Sequence, residues 1–272
     1  MDARWDTAAP FYSRAGLHIE IYDTATLDTF NQDAPFLIDQ AKQAGGPVLE
    51  LASGTGRAAW PMAEAGFEVV GLDLNQGMIE AAEAKRPNYP DAVSDRVRFV
   101  QGDMTRFDLD QQFRLAYITY RSFQALLTPE VQQACLRCVW KHLEPGGRLV
   151  INLFDPKLSR CDEVTEEPPD QLTVRNPVTG LDVDQRSIKR INDPLSQTFK
   201  MLWVLEEKDA DGIVVREELE RLDLRWTYRY EMRYLLEQCG FEVLAEYSNF
   251  DKSPPAYGKE QVWVATKPVD PD

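Results

Sequence analysis

Histidine and cysteine are scarce in this chain, basic residues are outnumbered, and no long apolar run is present. Four cysteines and two histidines stand in 272 residues. Four cysteines in so long a chain do not make a disulfide framework. Cys135 and Cys138 form a C-x-x-C pair inside the helix-like ACLRCVWKHL, but no second C-x-x-C or H-x-x-x-H exists to complete four metal ligands. Packing is the reading of that pair, no metal is expected, and the thiols are read as reduced in a cytoplasmic protein. The start MDARWDTAAPFY lacks the basic stretch and apolar core of a secretory signal. No apolar run approaches the ~18 residues that a membrane span requires. Lys and Arg number 30 against 45 Asp and Glu, a net charge of −15. Nucleic-acid binding draws its affinity from neutralised phosphates, so this surplus argues against DNA, RNA or an anionic membrane as partner. A small-molecule substrate remains, with a monomer or homodimer as the expected state. The hydrophobic content of 43% is that of a globular protein, and the length fits one large domain or two small ones.

The order of elements carries the fold. Residues 1–46 read as helical, with Asp33 a cap, Pro35 in the first turn and Gly45-Gly46 the stop. VLELA (48–52), the Gly-rich SGTG, the helix-like RAAWPMAEAG and FEVVGLDL then make one βαβ unit. Pro61 inside that helix predicts a bend. NQGMIEAAEAKR reads as helix, RVRFVQGDM as strand, and LAYITY (115–120) as strand. Thr128-Pro129 opens a helix placing Leu136, Val139, Trp140 and Leu143 on one face, and Pro145-Gly146-Gly147 stops it. RLVINLF is a fifth strand. This alternation predicts a parallel sheet with helices on both faces and a ligand at the strands' carboxyl ends. From about residue 156 the rhythm breaks into long polar–apolar alternations, the mark of an antiparallel meander. The helix YEMRYLLEQCG and two strands, FEVLAEYSNF and EQVWVATKP, follow it. The expected organisation is therefore an amino-terminal helical segment (1–46) covering a cofactor, an α/β domain (47–155 and 228–272), and a β insertion (156–227) on the substrate side.

The strongest local signal is Glu50-Leu51-Ala52-Ser53-Gly54-Thr55-Gly56 at the end of the first strand. Glycines there let backbone approach a ligand and leave helix amides facing it. Gly54-Thr55-Gly56-Arg57-Ala58-Ala59 also satisfies the G-x-G-x-x-A dinucleotide fingerprint, and Asp73, closing the second strand, suits the ribose of either cofactor class. Three features favour S-adenosylmethionine over a nicotinamide. Glu50 would repel a pyrophosphate but attract an ammonium group. Asp103 in Gly102-Asp103-Met104 closes the third strand where it can accept from an adenine amine. No Tyr precedes a Lys by the four residues that short-chain hydride-transfer enzymes use.

With VLELASGTGR, VVGLDLNQGMIEAA, VQGDM and LEPGGRLVINLF in place, the chain resembles the class I S-adenosylmethionine-dependent methyltransferases over nearly its whole length. RSFQALLTPE and the β insertion resemble the small-molecule group that includes glycine N-methyltransferase and amino-sugar N,N-dimethyltransferases. The resemblance implies a Rossmann-like α/β fold, a seven-stranded sheet with one antiparallel strand, and methyl transfer to N or O of a small molecule. It implies cofactor contacts from backbone at Ala52, Gly54 and Gly56, from Glu50 or nearby backbone to the ammonium, with capping of the turn as the alternative role of Glu50, and from Asp73 to the ribose. Leu74, Met78, Asp103 and Met104 fall to the adenine, and Arg57, Tyr12 and Tyr120 complete the set. Ala52 stands where the family most often has Gly, and a small change in packing is the expected result.

The reacting groups are less legible. Holding nucleophile and methyl in line supplies most of the rate, and an amine acceptor needs only to be neutral. His18 is the base candidate, against a packing role; His142, ending a helix, reads as a dipole contact. Tyr22 is placed near the methyl group by the resemblance, with core packing as its alternative. Arg121 pairs either with a substrate carboxylate or phosphate or with one of the chain's own acids. The NPPY-type tetrad of amide and nucleobase N-methylating relatives is absent, Thr119-Tyr120-Arg121-Ser122 standing there instead. A nicotinamide-dependent oxidoreductase and a non-catalytic cofactor-binding protein are the rival readings.

Overall fold

A computed structural model of the chain describes residues 4–10, 15–30, 33–163 and 171–269. Along the chain run α1 (Arg4–Thr7), β1 (Ala9–Pro10), α2 (Leu17–Phe30), α3 (Asp33–Ala44), β2 (Val48–Leu51), α4 (Ala59–Glu64), β3 (Val69–Asp73), α5 (Gln76–Glu83), α6 (Asp91–Ser94), β4 (Val97–Gln101), β5 (Phe113–Ile118) and α7 (Pro129–His142). Then follow β6 (Leu143–Phe154), β7 (Gln171–Arg175), β8 (Asp182–Asp193), β9 (Thr198–Lys208), β10 (Val214–Arg225), α8 (Arg229–Gln238), β11 (Glu242–Tyr247) and β12 (Glu260–Thr266). The chain divides into two compact units, residues 1–30 with 158–225, and residues 31–157 with 226–272.

The larger unit holds a seven-stranded sheet in the order β11-β12-β6-β5-β2-β3-β4. β2 to β6 pair in parallel, and β12 runs antiparallel to both β6 and β11. The expected sheet with one reversed strand is thus present. Alternation sorts each strand between two apolar layers. Leu49 and Leu51 of β2 join Leu72, Ile118 and Ile151 under α7 and α8, where Leu136, Val139, Met232 and Leu236 pack. Val48 joins Val69, Leu115 and Val150 under α3 and α4, with Phe36, Leu37, Trp60 and Met62. Each large aliphatic side chain so enclosed contributes about 1.5–3 kcal/mol, and burial on both faces explains why these strands read as near-continuous Val/Ile/Leu runs.

Local chemistry starts the helices as the sequence suggests. Thr128 caps α7, its hydroxyl accepting from Val131 N at 3.3 Å, and Asn75 caps α5 by accepting from Gly77 N at 2.8 Å. Several expectations need correction. Pro61 lies in the first turn of the short α4, where a missing N–H leaves no helical bond unmade. α7 ends at His142, before Pro145-Gly146-Gly147, and the chain passes directly into β6. Trp140 is at the surface rather than in the core, with Lys267 Nζ 3.9 Å from its ring centre. Asp33 is not a cap: it is the first residue of α3, and its carboxylate turns to Arg57.

The smaller unit is a second sheet, β1-β10-β9-β8-β7, antiparallel except that β1 joins β10 in parallel. Leu17 and Ile21 of α2 pack on Val183 and Leu205, while Trp5 and Ala8 pack on Leu202 from the alternate positions of β9. The first thirty residues therefore belong with the meander, and residues 31–46 with the larger sheet. The expected helical segment is also interrupted by β1, where Ala9 and Pro10 pair with Glu220 and Arg221.

Candidate functional site

The chain turns sharply at the end of β2. Ala52 (φ 55°), Gly54 (φ 53°) and Gly56 (φ 74°) are all left-handed. Backbone and side-chain bonds hold the turn: Ser53 N to Leu72 O at 3.1 Å, Gly54 N to Asp73 Oδ2 at 2.7 Å, and Lys85 Nζ to Thr55 O at 2.8 Å. A Cβ on Gly56 would lie 2.7 Å from Phe99 Cζ and 3.0 Å from Trp60 Nε1. That glycine is therefore required by helix–strand packing as well as by its φ. Ala52 is also more than a small change in packing. A left-handed alanine is disfavoured by about 1 kcal/mol, which a glycine would relieve.

Asp73 closes β3. Its Oδ2 accepts from Gly54 N, its Oδ1 from Asn75 N at 2.8 Å, and burial raises its pKa against those same bonds. The acid thus ties two turns together, while each oxygen retains a second lone pair. Asp103 lies beyond β4, accepting from Thr105 N at 2.9 Å and Thr105 Oγ1 at 2.7 Å, with Arg106 Nε 3.3 Å away. Met78 is buried, Met104 packs against the apolar layer under α7, and Leu74 is exposed.

Glu50 has the least expected environment. The sheet register aligns Val150, Tyr117, Glu50, Gly71 and Phe99 in one row facing α3 and α4. Every other side chain of that row belongs to the apolar layer, so a carboxylate stands where packing alone would choose a hydrocarbon. Glu50 is 4% exposed, and neither its Oε2 nor the Tyr117 hydroxyl has a partner of hydrogen-bond geometry. Burial pushes its pKa up to about 8; Arg57 and the adjacent Tyr117 hydroxyl oppose the shift, and the carboxylates of Asp33 and Asp73 add to it. Above this row Arg57 grips Asp33 with both guanidinium nitrogens, Nη1 to Oδ1 at 2.8 Å and Nη2 to Oδ2. The Arg57 guanidinium also sits 5.7 Å from the Tyr120 ring centre.

Tyr120 (φ 55°) and Arg121 (φ 64°) are consecutive left-handed residues after β5. Such strain persists only where surroundings over-determine it, which is the habit of functional sites. Arg121 N donates to Asn152 Oδ1 at 3.2 Å, and Gln124 Oε1 accepts from Phe154 N at 3.0 Å. Of the two pairings expected for Arg121, the structure shows the internal one: Nη2 donates to Glu260 Oε1 at 2.6 Å, while Asn152 Nδ2 donates to Glu260 Oε2 at 2.6 Å. Burial raises the pKa of Tyr120, with Arg57 and Arg121 opposing.

The remaining candidates lie elsewhere. His18 and Tyr22 are on α2 in the smaller unit, His18 Nδ1 being 2.5 Å from Glu220 Oε1 with both side chains buried. Tyr12 lies outside the described residues. His142 fills a structural role, with Nδ1 2.8 Å from Cys138 O and Nε2 accepting from Leu109 N at 3.3 Å. Cys135 is core, Cys138 Sγ bonds to Phe107 O at 3.3 Å, and no cluster able to hold a metal occurs among the described residues. Motif reading missed Asp33 as a partner, Tyr117, Gln124, Asn152 and Glu260. The one legible sign was Asn152, a polar residue inside the buried run VINLF.

Residues 48–147 match the family model described as a methyltransferase domain. The chain is 33% identical to the putative methyltransferase YqeM of Bacillus subtilis (strain 168) over 226 residues, 80% of this chain and 82% of that protein. It is 31% identical to cypemycin N-terminal methyltransferase of a Streptomyces species over 112 residues, 41% of this chain and 43% of that protein. A 140-residue match at 28% identity, 49% of this chain and 56% of the relative, joins it to dTDP-3-amino-3,4,6-trideoxy-alpha-D-glucopyranose N,N-dimethyltransferase of Streptomyces venezuelae. The chain thus spans less than two thirds of those last two relatives. Among solved structures, the CcbJ methyltransferase from Streptomyces caelestis superposes with a TM-score of 0.71 at 23% identity, covering 91% of this chain and 96% of that one. SAM-bound CalS10, an amino pentose methyltransferase from Micromonospora echinaspora, gives 0.67 at 24% identity with the same coverages.

Proposed function

Because the chain belongs to the S-adenosylmethionine-dependent methyltransferases, we propose that it transfers the cofactor's methyl group to an amino nitrogen of a small molecule. The observation carrying this reading is the convergence, at the ends of β2, β3 and β5, of a left-handed Gly-rich turn with a buried carboxylate that lacks a hydrogen-bond partner at Oε2. An amino acid's ammonium group fits it, whereas a pyrophosphate would bring further negative charge beside Asp33 and Asp73. The cofactor supplies an electrophilic methyl on a sulfonium. Glu50 holds the ammonium, Arg57, fixed by Asp33, faces the carboxylate, and Asp73 accepts from the ribose. Met78, Leu74, Asp103 and Met104 frame the adenine, and Tyr120 borders the methionine portion.

Nitrogen is favoured because the larger unit's only histidine, His142, is bound to Cys138 O and Leu109 N. A neutral amine needs no strong base, whereas a hydroxyl usually does. The names of the cypemycin and amino-sugar relatives point the same way. The charge of −15 supports a small acceptor over nucleic acid, and the four unbridged thiols support a reducing, cytoplasmic setting for a monomer or homodimer.

Calorimetric titration with S-adenosylmethionine and S-adenosylhomocysteine tests the cofactor; absence of binding overturns the proposal. Transfer of labelled methyl across a panel of amino sugars, primary amines and their hydroxyl counterparts tests the acceptor, and labelling of hydroxyls alone overturns the nitrogen assignment. Asp73→Ala is expected to weaken cofactor binding about 10-fold or more, roughly 1.4 kcal/mol.

A further inference from the structure

Three acids and one cation converge at the end of β2. Arg57, from the turn before α4, is already engaged at both ends of its guanidinium by Asp33 of α3. Asp73, from the end of β3, is satisfied by two backbone N–H groups. Glu50 faces all three, together with the Tyr117 hydroxyl on its register partner in β5. Arg57 is committed to Asp33 and offsets Glu50 only in part, so burial beside the carboxylates of Asp33 and Asp73 favours the neutral form of Glu50. Adding one ammonium group reverses that balance.

Resting on the cofactor reading above, we propose that cofactor entry is proton-coupled: Glu50 is a neutral carboxylic acid in the empty site and yields its proton to solvent as the cofactor's ammonium docks, with Tyr117 and Asp33 as positioning residues for that exchange. The balance is one O–H bond broken at Glu50, one proton released, and one carboxylate–ammonium pair formed. No oxidant or other reactant is needed. The upward shift of Glu50 to about 8 accords with this, and burial is its chief cause. The device would discriminate in favour of ligands bearing an ammonium group, since a neutral ligand could not draw the proton off.

S-adenosylhomocysteine is the probe, titrated calorimetrically at about pH 6.5, where a free α-amino group of pKa ~7.7–8.0 is still charged. Repetition in buffers of different ionisation enthalpy counts protons. Release of about one proton per ligand by the wild type, with little release and at least 10-fold weaker binding in Glu50→Gln, is expected. Binding with no net release, or equal release from the variant, overturns the inference while leaving the cofactor reading intact. No binding by the wild type overturns both. Should Glu50→Gln fail to fold, carbon NMR of glutamate-labelled wild type reads the same point: one carboxyl titrating far above the rest, displaced to its ionised shift by the ligand. Its absence overturns the proposal. Tyr117→Phe is expected to move that titration, and Asp33→Asn to lower it, in the ligand-free protein.

Discussion

Among the described residues the smaller unit buries Glu207 and Glu220 and the larger unit Glu50, and Glu207 and Glu50 are handled differently. Glu207, on β9 of the smaller unit, is 3% exposed; it accepts from Asn176 Nδ2 at 2.8 Å and from Thr179 Oγ1. Asn176 in turn shapes the β7–β8 connection by accepting from Val178 N at 2.9 Å. Glu50, in the larger unit, is as deeply buried, yet its Oε2 has no partner of hydrogen-bond geometry. Burial of a charge is therefore not in itself a sign of function. The fold supplies the hydrogen bonds of Glu207 from Asn176 and Thr179 but leaves Oε2 of Glu50 incomplete, and a buried acceptor in that state is costly unless something else completes it.

The contrast is testable on stability. Because the folded-state pKa of Glu50 is raised from 4.5 to about 8, its contribution is fullest below the unfolded value and is lost as pH rises toward 8. Between about pH 5 and about pH 8 the empty wild type should lose on the order of 3 kcal/mol relative to Glu50→Gln, read as diverging urea midpoints. Parallel midpoints across that range would break the comparison. Glu207→Ala should instead destabilise by about 1–2 kcal/mol, because the buried Asn176 amide and the exposed Thr179 hydroxyl lose their shared acceptor, with cofactor affinity unchanged. A parallel fall in affinity would place Glu207 in the same class as Glu50. Smallest is Ala52→Gly, expected to raise the midpoint by up to ~1 kcal/mol by relieving the left-handed alanine, offset in part by the entropy of glycine. A loss of stability would mean that the alanine methyl is held by packing.

The Gly-rich turn and the family motifs were legible because they rest on short-range spacing, and the reversed strand was expected only through the resemblance those motifs carry. VLELASGTG and VVGLDL put a turn and an acid at successive strand ends whatever lies around them. Glu50, Asp103 and the absence of a Tyr four residues before a Lys separated the two cofactor classes that Gly54, Gly56 and Asp73 alone left tied, and the match to a putative methyltransferase over 226 residues agrees. Long-range partners were not legible. Arg121 meets Glu260, 139 positions away, only because β12 lies antiparallel beside β6 and places Glu260 opposite Phe154. Asp33 read as a helix cap because its local sequence fits one, and nothing nearby in the chain announces Arg57. The amino-terminal segment read as uniformly helical because propensity does not register a two-residue strand whose bonds come from β10.

Sequence alone determined the alternation of strand and helix, the Gly-rich turn after β2, the acidic balance and the kinship, since these depend on residue type, spacing and order. Tertiary structure decided the chemical state of the groups. That Glu50 shares a row with Tyr117 and Gly71, that Arg57 is committed to Asp33, and that Arg121 is held by Glu260 follow from sheet register and helix placement. Those set the desolvation and charge around each group, and it is desolvation and neighbouring charge that determine whether a carboxyl group carries its proton.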